Sequence, residues 1–277
     1  YEAVTKPDSR FNDEQRQQIM GDPAALFDEM GEVFLANKNA ELALAAFDKA
    51  AAIRGSRSAV HSYNLAQVFK ETGQPEQGLT ELQKYFDAQL QTRGRGAYQL
   101  LKDLLTDLKR ESELTDRLEK MRERDPLNSA LRNFLAEQYV GQKRFDEAEK
   151  SILNGQPEVR DPVALVGMIP VYRGQKKYDK LLDLMLRAKA TLPDPDEMER
   201  LATLDSESRS LVMRWGRERE ALTADKESMD GLVKLGKDQM AGDESKLQFP
   251  QAWVLGELCG LAERVDDANL FYRQAID

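Results

Sequence analysis

The sequence predicts an all-α protein built from repeated helical units stacked on one another, and three observations predict it. Tyr139–Leu153, YVGQKRFDEAEKSIL, nearly recurs 33 residues on as Tyr172–Met185, YRGQKKYDKLLDLM. An aromatic, a GQK turn, a second aromatic and a helical continuation keep their spacing, and such a period marks stacked supersecondary units. Apolar residues elsewhere recur at three–four spacing, with hardly any strand candidates. Asp-Pro or Pro-Asp-Pro recurs at 22–23, 125–126, 161–162 and 193–195. At each, proline stops one helix and can open the next.

Taken in order, residues 1–22 are a polar lead-in, where Asn12 and Gln15 resemble a capping box for a short helix through Ile19 that would seal the first unit. Asp22-Pro23 is a stronger helix start, with a capping carboxylate and proline at the first helical position. Five units then fill 23–194. The first has Phe27, Met30, Gly31 and Phe34 on one helix face, a turn at Asn37–Asn39, and Ala43, Phe47 and Ala50 on a second helix. The second has Leu65-Ala66, Phe69, the turn TGQP at 72–75, then Gly78, Leu82 and Tyr85. QTRGRG at 91–96 reads as a flexible connector rather than a phosphate-cradling loop. The third unit, with Tyr98, Leu101, Leu105, Leu114, Leu118 and Met121, lacks small residues, so its helices should sit further apart. The fourth has Leu135-Ala136, Tyr139, Ala148 and Ile152; the fifth has Met168, Tyr172, Leu181, Met185 and Ala188. Pro170 should kink its helix or shorten the first turn.

Residues 195–248 depart from the pattern. Leu201, Leu204, Leu211 and Trp215, then Met229, Leu232, Val233 and Met240, predict two longer helices, the first ending in the charged run RERE at 217–220, with AGDESKLQFP at 241–250 as a connector. The pattern returns over 249–277 with Leu255-Gly256, Ala268, Tyr272 and Ala275. The final copy stops after its second helix, so the array is expected to be truncated or to continue into another domain.

These units resemble the tetratricopeptide repeat (TPR), a helix–turn–helix of about 34 residues. Its first helix carries a Leu-Gly or Leu-Ala pair and an aromatic; its second carries alanines flanking a large apolar residue. Small residues let two helices cross closely while large neighbours fill the grooves. The resemblance implies a right-handed superhelical solenoid of antiparallel hairpins, whose first helices line a groove for an extended peptide or a partner's helix.

Composition bounds the function. The chain has 277 residues, 32% charged and 41% apolar, with a formal charge of −9. That charge speaks against a general nucleic-acid binder, which needs cations for phosphates. One cysteine, Cys259, excludes an internal disulfide framework or multi-cysteine metal site. One histidine, His61, excludes a His-based zinc cluster and is read as a surface or packing residue. Cys259 falls at a buried helix position and is read as inert. No nucleophile elbow, Walker-type loop or dinucleotide fingerprint occurs. No cofactor or metal is expected. The carboxylates read as solvated helix faces, against the alternative of a hydrolytic acid pair. No apolar run reaches the roughly 18–20 residues needed to span a bilayer, and residues 1–22 show no basic-then-apolar leader pattern. A start at Tyr1 rather than Met predicts a trimmed or processed chain, soluble, in the cytoplasm or, if a leader was removed, the periplasm.

Carried over position by position, the family's groove would be lined by Asp28 and Glu32, by Tyr63, Gln67, Lys70 and Glu71, by Gln99, Asp103 and Asp107, by Asn133 and Glu137, and by Val166 and Arg173. Trp253 projects from the same face of the last copy, with both a groove and a packing role open. Asp28 and Glu32 stand where some members carry a Lys/Asn carboxylate clamp, so that clamp is absent. Acidic residues outnumber basic ones at these positions, which predicts attraction of Lys- or Arg-bearing segments. The expected role is therefore a non-enzymatic protein–protein interaction scaffold. The alternative is the interaction arm of a larger envelope-assembly or regulatory protein, docking through 195–248.

Overall fold

The computed structural model describes residues 21–55, 58–88, 94–159, 161–241 and 247–276, with isolated positions 10, 12, 14 and 15 before them. All regular structure among the described residues is helical. The protein is all-α, and it divides into two compact units, Tyr1–Leu118 and Glu119–Asp277. Asn12 and Gln15 do cap each other, each side-chain oxygen accepting from the other's amide at 2.8 and 3.1 Å. The helix expected on to Ile19, positions 91–93 of the glycine connector and 242–246 of the last connector lie outside the described residues.

In the first unit α1 (Pro23–Ala36) pairs with α2 (Ala40–Arg54), α3 (Ala59–Glu71) pairs with α4 (Pro75–Asp87), and α5 (Arg95–Asp107) follows. Asp22 accepts from the Ala24 and Ala25 amides, satisfying donors that a helix start leaves orphaned. Ala24 and Phe27 of α1 pack on Ala46 and Ala50, while Phe34 and Leu35 pack on Ala43 and Phe47, so α1 and α2 are antiparallel. Gly31 marks their crossing: a Cβ there would stand 2.3 Å from Cε1 of Phe47. Val68 joins the Ala43–Phe47 cluster and stacks α3 on the first hairpin.

After α5 a 3-10 turn, Glu111–Glu113, leads into α6 (Leu114–Arg124), within which the two units divide. The Glu113 carboxylate accepts from Arg110 at 2.6 and 2.9 Å and from Arg117 at 2.9 Å. Those hydrogen bonds, Arg110 first and then Arg117, lower its pKa from 4.5 to about 2. A depressed folded-state pKa favours the native state above the unfolded value, and the preference fades as pH falls from 4.5 toward 2. A carbon-detected NMR titration should therefore find Glu113 still ionised at pH values where free glutamate is protonated. A midpoint in the free-glutamate range would refute the fork.

The second unit contains α7 (Ser129–Gly141) with α8 (Phe145–Leu153) and α9 (Pro162–Gly174) with α10 (Tyr178–Thr191). Residues 195–248 hold a short α11 (Met198–Thr203) before the two longer helices, α12 (Ser206–Thr223) and α13 (Lys226–Ala241). The last hairpin is α14 (Phe249–Leu261) with α15 (Val265–Ile276). α9 runs unbroken through Pro170 with a full first turn capped by Asp161, so the shortened turn expected from that proline does not occur.

Three-residue turns leave α1, α3, α5, α7, α9 and α14, each with its central residue left-handed. Lys38, Gly73, Lys109, Lys143, Lys176 and Glu263 hold φ between 57° and 69°. In each turn the following amide donates five residues back, as from Asn39 to Phe34, Arg144 to Tyr139 and Arg264 to Cys259, all at 2.8 Å. This is the Schellman arrangement, which satisfies carbonyls at a helix end. α12 and α13 are joined differently, by Ala224 with φ −76° and by Asp225, which accepts from the Glu227 and Ser228 amides. No helix among the described residues is long and apolar enough to cross a membrane.

Candidate functional site

In the first unit two of the carried-over positions, Lys70 and Asp103, meet across neighbouring helices. Asn64 of α3 donates to Asp28 Oδ1 of α1 at 3.2 Å. Lys70 of α3 reaches Asp103 of α5 at 3.3 Å, and Gln99 donates to that same carboxylate at 2.8 Å. α1, α3 and α5 thus lie side by side and present one shared face. Tyr63 is nearly buried, its ring 5.3 Å from that of Tyr85; Gln67 is half-buried beside it. Glu32, Glu71, Gln99 and Asp107 are exposed.

Asp28 departs from its expected role. Its carboxylate lies 2.6 Å from the Arg54 guanidinium, and the side chain is only 13% exposed. Arg54 ends α2, which antiparallel pairing brings back beside the first half of α1. Asp28 therefore ties the first hairpin together and holds α3 through Asn64, with little left to offer a ligand.

In the second unit the expected groove is filled by the chain itself. α12 packs on α9 and α14. Arg214 of α12 extends to Glu137 of α7 at 2.7 Å, both side chains being less than a quarter exposed. Its Nη2 passes 3.6 Å from where a Cβ on Gly167 would stand. Val166 is completely buried and Asn133 nearly so. Arg173 is half-buried, close enough to Glu218 of α12 to oppose the burial that raises that carboxyl's pKa. Asn133, Glu137, Val166 and Arg173 thus belong to a packed interface, not to an open groove. The reason is tertiary: the carry-over presumes an empty face, and α12 covers it.

Trp253 is 38% exposed, stacked 6.0 Å from Phe249 and edge-on to Tyr272 at 5.3 Å. Gly256 makes room for Tyr272, since a Cβ there would lie 2.7 Å from its ring. Packing accounts for most of this tryptophan. His61 is 2% exposed, with Nε2 3.6 Å from Asp48. Cys259 is fully buried, and burial pushes its thiol up to about 11, which keeps it protonated and unreactive at neutral pH.

Sequence reading missed Arg54, Arg214 and Glu218. Arg54 was within reach, because antiparallel pairing sets the end of α2 beside Asp28. α9 also carried a usable signal: PVALVGMIPVY is apolar on all sides, the mark of a helix covered all round.

No family model and no curated protein matches the chain. Among solved structures it is similar to the C-terminal part of a TPR repeat-containing protein from Cytophaga hutchinsonii, at 13% identity and a TM-score of 0.43, over 90% of this chain and 93% of that one.

Proposed function

We propose that the chain is a non-enzymatic protein-interaction module that holds a basic segment of a partner against the α1/α3/α5 face of its first unit. One observation carries the reading: Glu32, Glu71, Asp103 and Asp107 remain wholly or partly exposed on α1, α3 and α5, with Lys70 set between Glu71 and Asp103. A surface of that sign speeds encounter with cationic segments and repels acidic ones. Nearly buried Tyr63 of α3 packs on Tyr85 of α4 and braces the hairpin that carries Glu71. The site so drawn omits Asp28, Asn133, Glu137, Val166 and Arg173, which are committed to packing and ion pairs within the fold.

A short lysine-rich peptide tests the reading. Glu71→Lys with Asp107→Lys is expected to weaken its binding roughly two- to fivefold per reversed charge, as for exposed ion pairs. The loss should shrink as salt rises, because such charges are screened. Asp28→Asn should instead lower the midpoint of thermal unfolding and leave peptide affinity nearly unchanged. Peptide binding indifferent to both salt and the double reversal would sink the proposal.

A further inference from the structure

A concave feature lies within the other unit, Glu119–Asp277. A cleft of about 570 Å³ opens between α10, α12, α14 and α15. Its volume falls in the range of roughly 300–1,000 Å³ seen for ligand-binding pockets. Met185, Trp215 and Leu258 form an apolar floor and are almost completely buried. Leu261, half exposed, continues that surface to the rim.

The rim is charged and unbalanced. Asp194, Asp196, Glu197 and Glu257 line it against two cations, Lys189 and Arg219. Arg219 binds Asp194 at 3.3 Å and Asp196 at 2.7 Å, and Lys189 pairs with Glu257. Pairing thus fixes both cations, and the single Arg219 guanidinium faces two carboxylates, Asp194 and Asp196, so that edge stays net negative beside exposed apolar surface. The Asp196 side chain is 76% exposed and that of Asp194 44%, so this edge is open to solvent rather than enclosed.

We infer that this cleft is a second docking site, and that it receives a segment of a partner protein carrying a large apolar side chain next to a lysine or arginine. The apolar group seats on Met185, Trp215 and Leu258, where it gains burial that the rim alone could not supply. The neighbouring cation meets the Asp194–Asp196 edge, which selects against acidic sequences. The open edge favours a chain running through the cleft over a small molecule closed within it. This site stands independently of the α1/α3/α5 reading.

The test uses the full chain carrying Glu71→Lys and Asp107→Lys, so that the first unit's acidic face contributes little. Two dye-labelled peptides, identical except for lysine or glutamate beside a leucine, are titrated by fluorescence anisotropy. The lysine peptide is expected to bind at least about fivefold tighter, the size of one exposed charge pair. Leu261→Arg and Asp196→Lys, both at solvent-exposed positions, should each weaken it about fivefold or more with circular dichroism unchanged. Equal binding of the two peptides, or affinity untouched by both substitutions, overturns the inference. So does full competition by a simple alkylammonium ion at the peptide's own concentration, which would make the cleft a small-molecule site.

Discussion

Replacing Trp215 with alanine is expected to destabilise the second unit by about 3–5 kcal/mol, the usual cost of truncating a large buried aromatic. The indole is 4% exposed and sits on α12, the helix that closes the α9 face. Its neighbours offer little room to collapse into the void. A Cβ on Gly216 would already lie 2.9 Å from Pro195, and Arg219 is fixed between Asp194 and Asp196. The variant should also raise amide exchange around Val166, since loosening α12 uncovers α9. Urea unfolding followed by circular dichroism measures the loss. A change below about 1 kcal/mol, with Val166 still protected, would mean that α12 is not what keeps this face closed.

Gly31→Ala is the second large effect, and here two terms oppose each other. Alanine in a helix interior gains up to about 1 kcal/mol over glycine. Against that, the new methyl would stand 2.3 Å from the Phe47 ring, which is completely buried and cannot swing away. Overpacking of this kind costs about 1–3 kcal/mol, so the net change is destabilising. Gly141 provides the control, because a Cβ there meets nothing within 4 Å. Gly141→Ala should leave stability unchanged or raise it. Adding Phe47→Leu to Gly31→Ala should cost less than the two single losses combined, as expected of residues in contact. Thermal unfolding of the four variants decides it, and strict additivity would mean that the crossing is looser than the distances imply.

The hairpins were legible because their determinants are local. Gly31 and Phe47, or the GQK turn after Tyr139, lie within one repeat, and their spacing is itself the geometry. The left-handed turn residue was less visible, since lysine occupies a conformation that glycine or asparagine would adopt more cheaply. The carried-over positions were legible only where no later helix among the described residues packs over them. Lys70 and Asp103 do meet across α3 and α5 as the repeat register implies. Glu137 failed because its partner, Arg214, comes from a helix outside the repeat register. Periodicity within α12 tells which of its sides is apolar, but not which distant helix that side will cover. Leu211 and Trp215 pointed to burial without naming a neighbour.

The path of α12 also orders the assembly of the second unit in time. The α7/α8, α9/α10 and α14/α15 hairpins close over three-residue turns, so loop closure costs each of them little entropy. α12 must find α9, already behind it in the chain, and α14, still ahead of it. Its seat exists only once helices on both sides of it in sequence have formed. Contacts made that late are expected to form after the rate-limiting barrier, so Trp215→Ala should speed unfolding and leave the folding rate nearly unchanged in a stopped-flow chevron. On that expectation α12 is a latch on this unit, one that does little to start the fold and much to set how long it lasts.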